Sequence, residues 1–318
     1  MMKLPIAAYG IALYDEIGFL RVDYAFDGEL TLIETDSKTN GWEYDEEWEY
    51  FDKDRLEVIQ EGSRKIKPVI THLVEDQPLE DIPTAWLKLQ LLSMRYFKPN
   101  ELNLENIFEV MPNLVWGQNF IDRAPAGSMN NKPFESGFSG AKSVDKFPPM
   151  TDYVVPSGVR IADTARVRLG AYLGEGTTVM HEGFVNYNAG TEGPNMIEGR
   201  ISSGVFIGKD TDLGGGSSTM GTLSGGNEKI ISVGERCLLG ANSGIGISLG
   251  NDCTVEAGLY LTAGTKVTLV DNEEKIVKAL ELSGKDGILY YRDSLSGKVC
   301  AKVNNTQFKL NKALHENN

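Results

Sequence analysis

Glu198 and its two neighbours form the segment of this chain best suited to chemistry. The sequence around it reads Met196-Ile197-Glu198-Gly199-Arg200, so a carboxylate and a guanidinium stand two residues apart. A carboxylate can act as a general base or as a nucleophile. On a strand, residues two apart project on the same side, so Arg200 is expected to polarise Glu198 or to hold a substrate carboxylate. Taken alone, the pair is also compatible with a solvated surface ion pair.

A dense group of glycines follows this segment. It comprises Leu213-Gly214-Gly215-Gly216-Ser217-Ser218 and Met220-Gly221. Each single glycine is explained by a tight corner, but the group as a whole removes side chains from a stretch of surface. Bare backbone of this kind can approach an extended ligand and offer N–H donors to it.

The element that must position these residues is a repeat of six. From Val155 to Val267, aliphatic residues recur at this interval with Gly, Ala, Ser or Thr between them, which is typical of a hexapeptide β-helix. Three hexads close one coil of a triangular prism, and the aliphatic residues stack inward. The predicted inward residues are Val155, Ile161, Val167, Leu173, Val179, Val185, Ile197, Ile207, Leu213, Thr219, Val233, Leu239, Ile245, Leu249, Val255, Leu261 and Val267, with Thr191 as a skipped position. Shifts of phase predict loops, one of them at 223–229.

Composition limits the possible partners. The formal net charge is −14 and the pI is about 4.8, which argues against nucleic acid and against anionic membrane as partners. No apolar run approaches a membrane span, and the first residues are too soon interrupted for a signal peptide. Three cysteines without a CxxC motif fit the reducing cytoplasm, and Cys237 and Cys253 are expected to be small buried hydrophobes.

The sequence divides into four parts. Residues 1–118 lack the hexad and are predicted to form an N-terminal α/β domain, with a strand pair within 7–26 and a helix opening at Pro83. Residues 119–150, rich in Gly, Pro, Ser and Asn, are predicted to be a linker or long loop. Residues 151–270 form the predicted β-helix domain, and 271–318 a small C-terminal β extension with a hairpin. The predicted fold is therefore mainly β.

Four strings within the repeat carry a family resemblance. They are Met180-His181-Glu182-Gly183-Phe184-Val185-Asn186-Tyr187-Asn188-Ala189-Gly190, Glu198-Gly199-Arg200, Met220-Gly221-Thr222-Leu223-Ser224-Gly225-Gly226 and Glu256-Ala257-Gly258-Leu259-Tyr260-Leu261-Thr262-Ala263-Gly264-Thr265. In these strings the chain resembles tetrahydrodipicolinate N-succinyltransferase, in the branch with a long N-terminal domain. The likeness runs over the repeat and into Lys278 and Ser283-Gly284, which is about half of the chain. The resemblance implies a cytoplasmic homotrimer with a left-handed parallel β-helix. It also implies transfer of succinyl from succinyl-CoA to the amino group of the ring-opened substrate, in the diaminopimelate route to lysine.

The resemblance also assigns roles to residues. Glu198 matches the family's active carboxylate, as nucleophile or as base, and Gly221 matches a backbone donor for the thioester oxygen. Lys278 and Arg292 carry the charge suited to CoA phosphates. The positions implied for cofactor binding are Arg200, Gly215, Ser218, Ala241, Glu256, Ala257, Gly264, Lys278, Tyr291, Arg292, Asp293 and Ser294.

A metal site and other functions are alternatives. Some family members bind Mg²⁺ on the trimer axis through carboxylates, and this chain keeps Glu182 but has Ala165 in place of an Asp, which leaves a ring of three Glu182. His181 is the single histidine of the repeat, which argues against a zinc hydratase of this fold. The alternatives that remain are an acetyl-CoA-dependent N-acetyltransferase of the same pathway, another hexapeptide acyltransferase, and a non-catalytic trimeric scaffold.

Overall fold

The computed structural model describes residues 3–26, 29–45, 65–118, 120–124, 140–224, 228–270 and 275–303. The chain divides into two compact units. The first comprises residues 1–91, 101–148 and 152–154, and the second comprises 92–100, 149–151 and 155–318. No helix within the described ranges is long and apolar enough to cross a membrane.

The first unit is built on an antiparallel sheet of six strands. The strands are β1 (Ile6–Tyr14), β2 (Phe19–Asp23), β3 (Ala25–Phe26), β4 (Glu29–Ile33), β5 (Gly41–Tyr44) and β6 (Lys65–Leu73). Their order in the sheet is β3-β4-β1-β6-β5, and β2 pairs with β1 as the strand pair predicted within residues 7–26.

Two helices and a small second sheet complete the described part of the first unit. Helix α1 (Ile82–Ser93) begins as predicted, because the Asp81 side chain accepts the Thr84 N–H at 2.7 Å and caps its open end. The further elements are α2 (Ile107–Val110), β7 (Leu114–Gly117), β8 (Ile121–Arg123) and β9 (Ala141–Asp145). Helix α2 is a single turn, and the three strands form an antiparallel sheet in the order β8-β7-β9. Part of the predicted linker 119–150 is therefore sheet, in strands too short and polar to show a period.

The second unit is a parallel β-helix with three walls. Wall 1 contains β10 (Arg160–Ile161), β12 (Thr177–Val179), β15 (Asn195–Ile197), β18 (Thr211–Leu213), β21 (Leu238–Leu239), β23 (Thr254–Val255) and β27 (Ile288–Arg292). Wall 2 contains β13 (Phe184–Val185), β16 (Arg200–Ile201), β19 (Ser218–Thr219), β22 (Gly244–Ile245) and β24 (Tyr260–Leu261). Wall 3 contains β11 (Tyr172–Leu173), β14 (Gly190–Thr191), β17 (Phe206–Ile207) and β20 (Ser232–Val233). Short 3₁₀ turns lie at Met150–Asp152, Thr164–Arg166 and Ala279–Leu282.

The predicted inward residues stack in register with three corrections. On wall 1, for example, Val179 pairs with Ile197 and Ile197 with Leu213, and all three side chains are fully buried. Val155 is wrong as an inward residue, because it lies outside the first strand and is 78% exposed. Thr191 is not a skipped position, since it is fully buried and its hydroxyl lies 2.8 Å from that of Thr177.

The third correction concerns the interval between coils. Ile201, which the count of six passed over, is fully buried on wall 2 and pairs with Val185. The chain therefore passes from Ile197 on wall 1 to Ile201 on wall 2 in four residues instead of six. A second short step joins Ile245 to Leu249, which bridges to Val233 on wall 3. The phase shifts are thus shortened corners as well as insertions.

Residues 92–100 cover corners of wall 3, although the sequence assigned them to the N-terminal domain. The Ser93 hydroxyl accepts the Gly170 N–H at 2.8 Å, and the Asn100 side chain donates to the Gly204 carbonyl at 2.8 Å. The Lys98 ammonium lies 5.3 Å from the centre of the Phe206 ring. The face of wall 3 thus has its own polypeptide cover.

The C-terminal strands close the last coil. The predicted hairpin is present as β27 and β28 (Val299–Val303). Strand β27 also pairs with β23, so that Tyr290 continues the column of Val255. Two further strands pair with each other beside β28. The remaining bounds are β25 (Lys266–Leu269) and β26 (Lys275–Lys278).

Candidate active site

The corner between walls 1 and 2, called corner 1 here, gathers most of the predicted site residues. In four coils it is a turn of four residues closed by one backbone hydrogen bond, such as Ser217 N–H to the Gly214 carbonyl at 2.9 Å. These turns are 180–183, 214–217, 240–243 and 256–259. In the coil between the first two of them, corner 1 consists of Glu198 and Gly199 alone.

The shortened corner forms a notch with Glu198 in it. The Glu198 backbone is fixed by its N–H to the Leu213 carbonyl at 2.8 Å and by its carbonyl to the Gly216 N–H at 3.2 Å. Its side chain is half-buried. Gly199 is required here, because a Cβ at this position would lie 2.1 Å from the Ser217 hydroxyl oxygen. The chain thus places a carboxylate in a recess floored by glycine backbone.

Glu182 overhangs the notch from the preceding coil. Its carboxylate oxygen lies 3.8 Å from the place where a Cβ on Gly215 would stand, although these residues are two coils apart. Neighbouring coils are separated by about 4.8 Å, so the carboxylate spans the shortened coil between them. Glu182, Glu198 and Gly215 therefore share one corner.

Arg200 lies on wall 2 rather than beside Glu198. It follows the corner, and its Nε and Nη2 donate to the Ser218 hydroxyl at 3.2 and 2.8 Å. The two residues were expected to project on the same side, but the turn at Gly199 lies between them and cancels the alternation of a straight strand. The structure thus joins two predicted cofactor residues, Arg200 and Ser218, in one contact.

Gly221 lies at the other end of wall 2. A Cβ on Gly221 would stand 3.1 Å from the Ser203 carbonyl oxygen, at the corner between walls 2 and 3, called corner 2. Within the described residues its N–H donates to no acceptor, whereas its carbonyl accepts the Ile231 N–H at 3.1 Å. Ser203 follows Glu198 by five residues, which in extended chain is on the order of 15 Å. Glu198 and Gly221 of one chain are therefore at opposite edges of wall 2.

The other predicted cofactor residues divide between the two corners. At corner 1, Ala241 and Ala257 lie on successive coils, joined by the Gly258 N–H to the Ala241 carbonyl at 2.8 Å. At corner 2, Gly264 is exposed with nothing within 4 Å of a Cβ. Lys278 lies beside it, because the next residue donates its N–H to the Thr265 carbonyl at 2.8 Å. The Lys278 side chain is exposed.

Beyond the pairing of β27 with β23, the entrance of the hairpin also meets a side chain of the β-helix. The Glu256 carboxylate accepts the Arg292 N–H at 2.7 Å, which places the hairpin entrance at corner 1. The Asp293 carboxylate accepts both the N–H and the hydroxyl of Ser296, and these bonds lower its pKa. Asp293 thus closes its own turn. Ser294 belongs to the turn that Asp293 closes. The Lys302 ammonium lies 5.3 Å from the centre of the Tyr291 ring.

The residues around Glu182 do not fit a full Mg²⁺ site. Ala165 supplies no oxygen ligand from its side chain, and the Asp163 carboxylate accepts the Ala165 N–H at 3.1 Å, capping its own turn. The Arg166 guanidinium donates to the backbone carbonyl of Glu182 at 2.8 Å, which places a positive charge beside this residue. Within the described ranges no group of three His, Cys, Asp or Glu is arranged to hold a metal.

Comparisons with known proteins now decide the family. Residues 230–263 match a family model described as the hexapeptide repeat of succinyl-transferase. The chain is 58% identical over 261 residues, 79% of this chain and 75% of the relative, to a 2,3,4,5-tetrahydropyridine-2,6-dicarboxylate N-succinyltransferase of Pseudomonas putida. The chain belongs to this N-succinyltransferase family. A member from Vibrio cholerae is 49% identical over 257 residues, 79% of this chain and 74% of the relative.

A solved structure agrees with this N-succinyltransferase assignment. The crystal structure of a Campylobacter jejuni protein, provisionally assigned as a 2,3,4,5-tetrahydropyridine-2-carboxylate N-succinyltransferase, has a TM-score of 0.80 and 29% identity. It covers 97% of this chain and 94% of its own. Together with the hexapeptide match, it confirms the left-handed parallel β-helix with an N-terminal domain that the sequence predicted.

Arg166 and Arg168, for which the sequence predicted no role, lie on wall 2. Arg166 and Arg168 flank Val167, which is fully buried and bridges to Val185 on wall 2. The Arg168 guanidinium donates to the Asn186 side chain at 3.1 Å and lies 5.9 Å from the centre of the Phe184 ring. The hexad count could have predicted this, because Val167 points inward and the arginines on both sides of it must therefore face outward.

Proposed function

We propose that this protein is a CoA-dependent N-acyltransferase that moves succinyl from succinyl-CoA to the amino group of ring-opened tetrahydrodipicolinate. The observation that carries the proposal is the notch at corner 1, where Glu198 stands against the bare backbone of Gly214–Gly216 in a chain of this family. The three buried free cysteines support a reducing compartment, the cytoplasm.

The chemistry follows from what amide formation requires. The acceptor nitrogen must lose a proton, the thioester oxygen must be stabilised as charge develops on it, and both reactants must be held in line. In our proposal the nitrogen attacks the thioester carbon, Glu198 takes the proton, the C–S bond breaks and CoA leaves as thiolate. The Gly221 N–H, which has no acceptor among the described residues, stabilises the oxygen. Direct attack by Glu198 to form a mixed anhydride is the alternative use of the same carboxylate.

The positions of Glu198 and Gly221 support a site shared between chains. They lie at opposite edges of wall 2, on the order of 15 Å apart, whereas both must reach one thioester group. A second prism that presents its corner 2 to the corner 1 of the first would bring them together. The division of the cofactor residues between the two corners has the same explanation. We infer a homotrimer. Contacts between corner 1 of one chain and corner 2 of the next are head-to-tail, and three chains form the smallest ring that such contacts close.

A thiol-release assay tests the proposal. Wild type is expected to release CoA from succinyl-CoA in the presence of tetrahydrodipicolinate, and only weakly from acetyl-CoA. Glu198→Gln, which keeps the shape but loses the base and the nucleophile, should lower kcat by about 10²–10⁴-fold. Glu192→Gln, on wall 3, is the control, because Glu192 pairs with Lys98 at 3.3 Å and lies off the site. Release from neither donor by wild type, or equal losses in both variants, would refute the proposal.

A further inference from the structure

The chain leaves the β-helix after Gly221 and returns to it at Ile231. The Gly221 carbonyl accepts the Ile231 N–H at 3.1 Å, and the Leu223 N–H donates to the Lys229 carbonyl at 2.9 Å. An antiparallel bridge lies between these two hydrogen bonds. We call residues 222–230 the corner 2 loop. Its described arms are bound to each other, and the first arm begins directly after the residue whose N–H we assign to the thioester oxygen.

Ser224 attaches the corner 2 loop to the following two coils. Its N–H donates to the Gly246 carbonyl at 3.0 Å, and its hydroxyl oxygen accepts the Ala263 N–H at 2.6 Å. Gly246 leaves room for this side chain, because a Cβ at Gly246 would lie 2.9 Å from the Ser224 hydroxyl oxygen. Leu223, which precedes Ser224, is buried and holds the same arm in the core. Ser224 therefore joins three successive coils at corner 2, those of Gly221, Gly246 and Ala263.

These three coils carry two parts of one proposed site. Gly221 supplies the N–H for the thioester oxygen, and Gly264, next to Ala263, is among the residues assigned to CoA. Strands of adjacent coils are about 4.8 Å apart, so Gly221 and Gly264 lie on the order of 10 Å from each other along the edge of wall 2. The thioester and the pantetheine arm belong to one molecule, so the N–H stabilises the transition state only if its distance from the coenzyme-binding backbone is fixed. The hydrogen bond from Ala263 to Ser224 spans this interval.

We propose that Ser224 is a positioning residue, which holds the Gly221 N–H in place relative to the backbone that binds CoA. Ser224 acts through the short arm that begins after Gly221, and it needs no contact of its own with the reacting atoms. Without its side-chain oxygen, the arm keeps its bond to Gly246 and loses its bond to Ala263. The Gly221 N–H then no longer stays aligned with the oxygen as charge develops on it. The proposal rests on the proposed function for the role of Gly221, but one of its tests does not require turnover.

Kinetics of three serine variants test the role of Ser224. Ser224→Ala should lower kcat with succinyl-CoA at least about 10-fold and leave KM for both substrates within about 2-fold, because the lost interaction acts in the transition state. Ser224→Thr keeps the accepting oxygen and should retain kcat within about 3-fold of wild type. Ser232→Ala is the matched control, since Ser232 is exposed on wall 3. Wild-type kcat in Ser224→Ala, or equal losses in Ser224→Ala and Ser224→Thr, would overturn the proposal.

Calorimetric titration with CoA separates positioning from partial unfolding. The stoichiometry of CoA counts intact sites, so Ser224→Ala should bind as many CoA molecules per chain as wild type. A stoichiometry that falls in proportion to kcat would assign Ser224 a structural role and overturn the proposal.

A double-mutant cycle shows whether Ser224 acts through Gly221. Gly221→Ala displaces the N–H itself, because a Cβ there would stand 3.1 Å from the Ser203 carbonyl oxygen. In that background Ser224→Ala should lower kcat by less than about 2-fold, since the donor is already out of place. A further loss of about 10-fold would mean that Ser224 acts elsewhere and would overturn the proposal.

Hydrogen exchange tests the same link without turnover. The Ile231 N–H should exchange at least about 10-fold faster in Ser224→Ala than in wild type, because its acceptor is the Gly221 carbonyl. In Ser224→Thr the exchange of this N–H should match wild type. Unchanged exchange in Ser224→Ala would overturn the proposal. If wild type releases no CoA from either donor while the exchange result holds, the proposed function fails and the link between Ser224 and Gly221 stands.

Discussion

At the scale of single residues, Glu198 depends on what surrounds it more than on its own type. Its neighbour Gly199 has no room for a methyl group against Ser217, and its other neighbour, Ile197, is fixed in the core. The Glu198 side chain is therefore attached to backbone that cannot rotate freely. The sequence identified Glu198 through a string of matching residues. The notch exists because corner 1 has two residues in this coil and four in its neighbours, and a count of inward positions does not reveal that difference.

A paired carboxylate in the N-terminal unit gives a prediction with a defined pH dependence. Burial acts to raise the pKa of Asp15, but hydrogen bonds from Arg123 and from the Gly18 and Ile17 N–H groups outweigh it and lower the pKa. The Arg123 guanidinium is bidentate, at 2.8 and 3.1 Å. Because the folded pKa is depressed, this stabilisation is present above the unfolded pKa of about 3.9 and is lost as pH falls through the folded value.

Asp15→Asn should therefore destabilise the first unit by about 1–3 kcal/mol at pH 7 and by much less at pH 3. All four tryptophans precede residue 117, so urea unfolding followed by tryptophan fluorescence reports on this part of the chain. Asp36→Asn, at an exposed loop position, serves as the control. A difference between Asp15→Asn and wild type that stays constant from pH 7 to pH 3 would contradict the predicted linkage.

At the scale of elements, glycines of the β-helix differ in whether a backbone atom or a side chain occupies the space that a Cβ would need. At Gly190 on wall 3, a Cβ would lie 1.9 Å from the Tyr172 carbonyl oxygen, which is backbone of the neighbouring coil. At Gly244 on wall 2, a Cβ would lie 2.1 Å from the Tyr260 ring, which is a side chain. A ring can move or be removed, whereas a backbone oxygen in a sheet cannot. The two glycines look alike in the sequence and differ only in this respect.

Rescue experiments should separate these glycines. Gly244→Ala is expected to lower Tm, and adding Tyr260→Ala should restore most of that loss relative to Tyr260→Ala alone, because the obstructing ring is gone. Gly190→Ala should lower Tm further, and adding Tyr172→Ala should restore little of it. Calorimetric melting of wild type and the six variants measures both cycles. Equal rescue at both positions would show that the backbone contact at Gly190 yields as easily as a side chain.

The β-helix itself was predictable because its core repeats, and the errors have physical causes. A hexad count recognises aliphatic residues, so it passed over Thr191, whose buried hydroxyl is satisfied by Thr177. It assumed a constant interval, so it missed Ile201, which follows a shortened corner. Residues 92–100 attach to corners of wall 3 mainly through polar contacts with carbonyls and amides, which no pattern of hydrophobic residues reports.

At the scale of the whole molecule, the separation of Glu198 from Gly221 is the feature that decides how many chains build one site. Wall 2 lies between them, and no rearrangement of side chains can shorten a strand of the core. If the thioester is held by both, the two residues must belong to different protomers. Subunits in which either residue is disabled should then complement each other.

Mixed oligomers of Glu198→Gln and Gly221→Leu provide the measurement. Each variant alone should be inactive, the second because a bulky side chain blocks the approach of the thioester to the backbone N–H. Equal amounts of the two variants are unfolded and refolded together. An interface is then intact if its Glu198 comes from the Gly221→Leu variant and its Gly221 comes from the Glu198→Gln variant. Random assembly gives this at about a quarter of the interfaces, so about a quarter of wild-type activity should return. Refolding the variants separately before mixing is the control. A mixture that stays inactive, although an affinity tag on one variant co-purifies the other, would place both residues in a site within one chain.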